Sequence, residues 1–119
     1  MRFTPKNNSV SGIEHGDFYC YEIKSSVADF LSKNGHNFIG DFNYYVMPTK
    51  EMVENLIVYI PFDVGVLIPD GYGGLRVLKK ARRKDRCRPT SEMLLMMWRS
   101  SRREIVKIRR NEKESRGEA

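Results

Sequence analysis

Cysteine is nearly missing: the chain of 119 residues has two, Cys20 and Cys87, 67 positions apart and in no Cys-x-x-Cys pair. Neither a disulfide framework nor a zinc ribbon can be built from them, and a reducing, cytoplasmic setting is the expectation. Long apolar runs are missing too. The longest strongly apolar, uncharged run, Asn55 to Phe62, falls far short of the roughly 18 residues that a membrane helix needs. Met1 to Lys6 is followed by polar residues where a signal peptide carries an apolar stretch. No signal peptide is readable and no membrane-spanning helix is expected. Length itself leaves room for one domain of ordinary size and not for two.

What is present is an uneven charge. Residues 1–75 hold five bases and nine acids, a net of −4, and residues 76–119 hold sixteen bases and six acids, a net of +10. An acidic body with a basic tail favours a polyanionic partner, because clustered Lys and Arg gain affinity for nucleic acid by releasing condensed counterions. An apolar fraction of 40 % with six Phe, six Tyr and one Trp is that of a globular chain.

The hydropathy pattern predicts a mixed α/β fold with the order strand, helix, strand, helix, strand, strand. Met1 to Glu14 reads as a loop or weak strand, and His15-Gly16-Asp17 as a turn. Phe18 to Lys24 is the first strong strand, with Phe18, Cys20, Glu22 and Lys24 on one face and Tyr19, Tyr21 and Ile23 on the other. Ser25 or Ser26 caps a short helix through Leu31, with Val27, Phe30 and Leu31 as its packing stripe, and Asn34-Gly35 ends it. Phe42 to Met47 is the next strand, and Thr49 caps a helix through Met52, Val53, Leu56 and Ile57 that Pro61 stops. Val64 to Ile68 is apolar enough for a strand buried on both faces. A turn over Pro69 to Gly74 leads to a last strand, Leu75 to Lys79. Residues 1–80 form the α/β core on this reading. Residues 81–119 form a basic linker, in which Ala81 and Cys87 are the core residues of the stretch to Arg88, and a helix from Thr90 or Ser91 that reaches Asn111, with Leu94, Met97, Trp98, Ile105 and Ile108 on its apolar face.

Chemistry concentrates at Glu22-Ile23-Lys24. Two residues apart on a strand, the carboxylate and the ammonium point to the same side, and holding both at a sheet edge has a desolvation cost. Phosphodiester hydrolysis gives such a pair a use: the carboxylate holds a divalent metal, and the lysine positions the attacking water or steadies developing negative charge. Asp29, on the following helix, fits the helix dipole better than a metal shell. His36 reads as an exposed loop histidine. Of Asn43 and Tyr44, at most one can face the site. The glycines of Asp70 to Gly74 form a turn, since no Lys-Ser/Thr follows them.

The run Tyr21 to Leu31 (YEIKSSVADFL), then Gly40 to Pro48 (GDFNYYVMP) and Val64-Gly65-Val66, resembles the PD-(D/E)XK nuclease superfamily. It is most similar to the small phage and bacterial members related to the MmcB-like DNA repair proteins. The likeness spans residues 18–81. It implies a restriction-endonuclease-like core, a DNA-processing or DNA-repair role and a Mg²⁺ (or Mn²⁺) site, with Glu22 and Lys24 in the E-x-K positions as catalytic residues and Glu22 as the metal ligand. Members of that superfamily bring a further acid from the preceding strand. With a hairpin tip at His15-Gly16, Glu22 falls opposite Ser9 with Asn8 beside it, and neither is an acid. Three arrangements stay open: a truncated or misassigned start, a second copy that supplies the missing element in a homodimer, and a fold kept without activity. The expectation for the chain as it stands is weak Mg²⁺ binding and slow or no cleavage. Lys79, Lys80, Arg82, Arg83, Lys84, Arg86 and Arg88 are the expected contacts to DNA phosphates.

Overall fold

Parallel strands need crossovers long enough to carry a helix, and antiparallel neighbours need only a turn; the spacing of apolar segments along this chain supplies both. A computed structural model describes residues 1–33, 35–36 and 38–115. It divides into two units, Met1–Cys87 and Arg88–Ala119. In the first, β1 (Arg2–Thr4), α1 (Val10–Glu14), β2 (Asp17–Ile23), α2 (Val27–Leu31), β3 (Phe42–Val46), α3 (Lys50–Leu56), β4 (Gly65–Pro69) and β5 (Leu75–Lys79) follow one another, with a 3₁₀ turn at Ile57–Tyr59. The second unit is α4 (Thr90–Ser115). The five strands make one mixed sheet in the order β1-β2-β3-β4-β5. β2, β3 and β4 are parallel, and β1 and β5 run antiparallel on the two edges. The expected mixed α/β architecture is therefore present. No helix among the described residues is long and apolar enough to cross a membrane.

Caps set the helix starts. Ser26 accepts from the Asp29 N–H at 3.1 Å and Thr49 from the Met52 N–H at 3.2 Å, each satisfying a donor that the first turn leaves orphaned. One face of the sheet packs Tyr45, Met47, Val66 and Ile68 against Phe30 of α2 and Met52, Val53 and Leu56 of α3. The other face gathers Tyr44, Leu67 and Ala81 with Tyr19, Tyr21, Phe42 and Val46. Register places rings side by side there. Tyr19 stacks on Phe42 at 5.0 Å and Tyr21 on Tyr44 at 5.9 Å between centroids, an arrangement that offset aromatic pairs favour.

Gly65 permits the chain after β5 to return across this second face. A Cβ there would stand 2.5 Å from the backbone nitrogen of Ala81 and against the Tyr44 ring. Gly65→Ala is expected to cost about 1–3 kcal/mol, as overpacking of a filled site does. Urea unfolding checks this, and an unchanged midpoint would show that the return path gives way freely.

Four expectations need correction. α1 is a helix, capped by Ser9 through the Gly12 N–H at 2.9 Å, so no hairpin joins residues 14 and 17 and Glu22 does not face Ser9. β1 lies further upstream, and its pairing with β2 ends at Arg2 opposite Tyr19. Val27 and Leu31 are exposed: α2 is little more than one turn long, and Phe30 alone reaches the core. Ile57 is also exposed, at the start of the 3₁₀ turn. Cys87, expected beside Ala81 as a core residue of the basic stretch, is exposed, whereas Ala81 is buried.

Candidate functional site

β2 alternates, so its even residues share the face covered by α2 and α3 and carry Glu22 and Lys24 to the carboxyl end of the strand. Strand pairing holds that end in place: the Lys24 N–H donates to the Val46 carbonyl at 2.9 Å. The chain leaving α2 passes the two charged groups at Gly35, which has φ +72°. A Cβ on Gly35 would stand 2.9 Å from Glu22 Oε2 and 2.9 Å from Lys24 Nζ, which puts those two atoms no more than twice that distance apart. Glycine suits the left-handed backbone here. Lys24 is 3 % exposed, an unusual burial for an ammonium group. The pair that the sequence singled out is thus brought together and closed over by one loop.

The next strand adds groups that periodicity did not reveal. Tyr45 stands beside Glu22 in the parallel register. Its hydroxyl is 2.7 Å from His36 Nδ1, and His36 Nε2 is 2.8 Å from the Ser32 carbonyl. A carbonyl oxygen only accepts, so Nε2 carries a proton, and in that tautomer Nδ1 accepts a hydrogen bond from the Tyr45 hydroxyl. His36 is half-buried and edge-on to Phe30, in place of the exposed position expected of a loop histidine. Burial first, and then the charge of Glu22, push the Tyr45 phenol above its ordinary value.

Asp29 turns back from the site. Its Oδ2 accepts from the Ser25 N–H at 2.9 Å and from the Ser25 hydroxyl at 3.3 Å. The Ser25 N–H chiefly, with the nearby Lys24 charge assisting, holds the carboxyl below the usual carboxylate range. This contribution to stability is present above the unfolded carboxylate value and is lost as pH falls through the lowered one. Asn43 is buried and exchanges hydrogen bonds with Gly40, 3.0 Å in each direction, and Tyr44 faces the opposite side of the sheet. Asn43 thus shares a sheet face with Glu22 but stands beside Cys20 with its amide taken up by Gly40.

Most of the expected phosphate contacts have work inside the first unit. Arg83 pairs with Asp17 and reaches Asp41 at 3.5 Å; Arg86 Nε meets Asp41 at 3.2 Å. Lys84 Nζ donates to the Phe38 carbonyl at 3.1 Å and Lys79 Nζ to that of Pro61 at 2.9 Å. Burial pulls the Lys79 ammonium below its ordinary value, against the opposing charge of Asp63. Arg82, Arg83 and Arg86 lie over the rings of Phe62, Phe42 and Phe18, so bases and aromatics interleave in space where the sequence shows no such alternation. Lys80 is exposed, and Arg88 pairs with Glu92 in the second unit at 2.9 Å. Asp17 opens β2, whereas Glu22 lies five residues along it, about 16 Å at the rise of a strand. The anchored bases and the Glu22–Lys24 pair therefore occupy opposite ends of the parallel strands.

A divalent metal needs more than Glu22. Mg²⁺ asks for near-octahedral oxygen ligands and Ca²⁺ for more, while a neighbouring ammonium opposes a cation. Among the described residues no three His, Cys, Asp or Glu side chains are gathered closely enough to share an ion. On the β1 side no described residue stands opposite Glu22, because the register ends at Tyr19. Among the described residues the donor set around Glu22 does not fit the metal that the nuclease resemblance implies. No protein-family model, no curated protein and no solved structure matches the chain.

Proposed function

We propose that the chain is a DNA-binding protein on a restriction-endonuclease-like sheet, related in kind to DNA-processing and DNA-repair nucleases, which carries a carboxylate–lysine half-site and does not cleave by itself. The observation that carries this reading is the convergence of Glu22 Oε2 and Lys24 Nζ on Gly35 at the carboxyl end of β2. Lys24, though buried, supplies a fixed positive potential at that end of the sheet, held by burial and strand pairing. Glu22 supplies one acceptor, which is short of a metal centre. The +10 charge of residues 76–119 supplies attraction to the duplex that is independent of sequence.

Full-length chain incubated with single-stranded, nicked and branched DNA in Mg²⁺ or Mn²⁺ tests the proposal. Binding that weakens steeply with salt is expected, with no metal-dependent cleavage above that of Glu22→Ala. Robust cleavage that Glu22→Ala abolishes would replace this reading with that of a complete nuclease. Absence of binding to every DNA at low salt would remove DNA as the partner.

A further inference from the structure

α4 carries a second basic surface that the half-site does not use. Between Arg99 and Arg110 it has six bases, Arg99, Arg102, Arg103, Lys107, Arg109 and Arg110, and one acid, Glu104. Among the described residues none of the six has an ion pair; Arg102 lies over the Trp98 ring at 5.3 Å. Arg83, Lys84 and Arg86, in contrast, meet carboxylates and carbonyls of their own unit.

At about 100° per residue the six bases fall within an arc of about 160°. Arg99 and Arg110 lie near its centre, Arg103 and Lys107 on one flank, and Arg102 and Arg109 on the other. Leu94, Trp98, Ile105 and Ile108 occupy the opposite arc. Eleven rises of 1.5 Å make the basic face about 16 Å long.

We infer that this face of α4 seats in the major groove of duplex DNA and binds its phosphates, with the central arginines toward the groove and each flank toward one backbone. An α-helix with its side chains is about 10–12 Å across and the groove about 12 Å wide. The duplex carries one charge per about 1.7 Å of axis, enough along this length for every base to meet a phosphate. An anionic membrane fits less well. Sinking the apolar arc into lipid would turn Arg99 and Arg110 away from the headgroups. The inference rests on DNA being the partner.

The test measures binding of full-length chain to a short fluorescent duplex across a salt series. Arg99→Gln/Arg103→Gln/Arg110→Gln is expected to flatten the slope of log affinity against log salt by about 2.7, the loss of three phosphate contacts at about 0.9 each. Lysine at the same three positions restores the slope, since phosphate contact needs charge alone. Lys6→Gln/Lys33→Gln/Lys50→Gln removes equal charge from the first unit and leaves the slope unchanged. Circular dichroism confirms that α4 stays helical. Tight binding by the wild type with an unaltered slope in the α4 variant overturns the inference and leaves the DNA reading standing. No binding to duplex at low salt overturns the inference, and no binding to single-stranded, nicked or branched DNA either, or binding to phosphatidylserine vesicles alone, overturns both.

Discussion

Asp41→Ala is expected to lower the unfolding free energy by about 3–5 kcal/mol, the usual result of removing one partner from a buried ion pair. Asp41 is 4 % exposed. Its Oδ2 accepts from the Phe18 N–H at 2.8 Å, and Arg86 and Arg83 reach the same carboxylate at 3.2 and 3.5 Å. The substitution leaves a buried N–H without its acceptor and removes a negative charge from beside the mostly buried Arg86 guanidinium. Domains hold only about 0.05–0.15 kcal/mol per residue in reserve, so the loss removes a large share of the stability of a chain this short. Asp41→Asn keeps an acceptor for Phe18 and is expected to lose less, about 1.5–3 kcal/mol. Urea unfolding of the three chains decides the matter. A loss under about 1 kcal/mol in the alanine variant would mean that the segment after β5 is held by something other than Asp41.

The Glu22–Lys24 pair is expected to behave in the opposite sense. Exchanging both, Glu22→Leu with Lys24→Met, should leave stability unchanged or raise it by about 1–4 kcal/mol, because apolar groups of similar volume avoid the desolvation of two charges. Lys24→Met alone should destabilise, since it leaves the Glu22 carboxylate uncompensated, and the double-mutant cycle should give a coupling of about 0.5–3 kcal/mol. Affinity for DNA should fall in both variants. A double variant that loses more than about 2 kcal/mol would make the pair a structural clamp instead of a ligand site. Two buried or partly buried charge clusters in one sheet thus have opposite signatures: Asp41 holds the fold, and Glu22 with Lys24 are held by it.

What could be read from the residues was whatever depends on neighbours in the chain. Ser26 and Thr49 announce their helices because a cap acts within three residues, and Val64 to Ile68 announces a buried strand because nearly every side chain in it is apolar. Alternation placed Glu22 and Lys24 on one face. α1 escaped notice because five residues with Val10 and Ile13, both exposed, give no periodic stripe. His36 and Tyr45 are nine positions apart, and only the offset between β2 and β3 brings Tyr45 beside Glu22. The basic stretch shows its charge in sequence and hides its partners. Asp17 and Asp41 lie 66 and 45 positions from the arginines they meet, so a solvated cluster and an internal anchor look alike until the chain is folded.

Strand order in the sheet equals strand order in the chain. During synthesis every strand therefore emerges next to a partner already made, and no hydrogen-bonding edge has to wait for a distant segment, which keeps contact order low for a sheet with parallel strands. One exception comes at the end. Arg83 and Arg86 meet Asp41 and Asp17 only after the whole sheet has been translated, so the arginines close last over strands that have already paired. Growth from first strand to last, followed by a single ionic latch, is the assembly sequence that this topology favours.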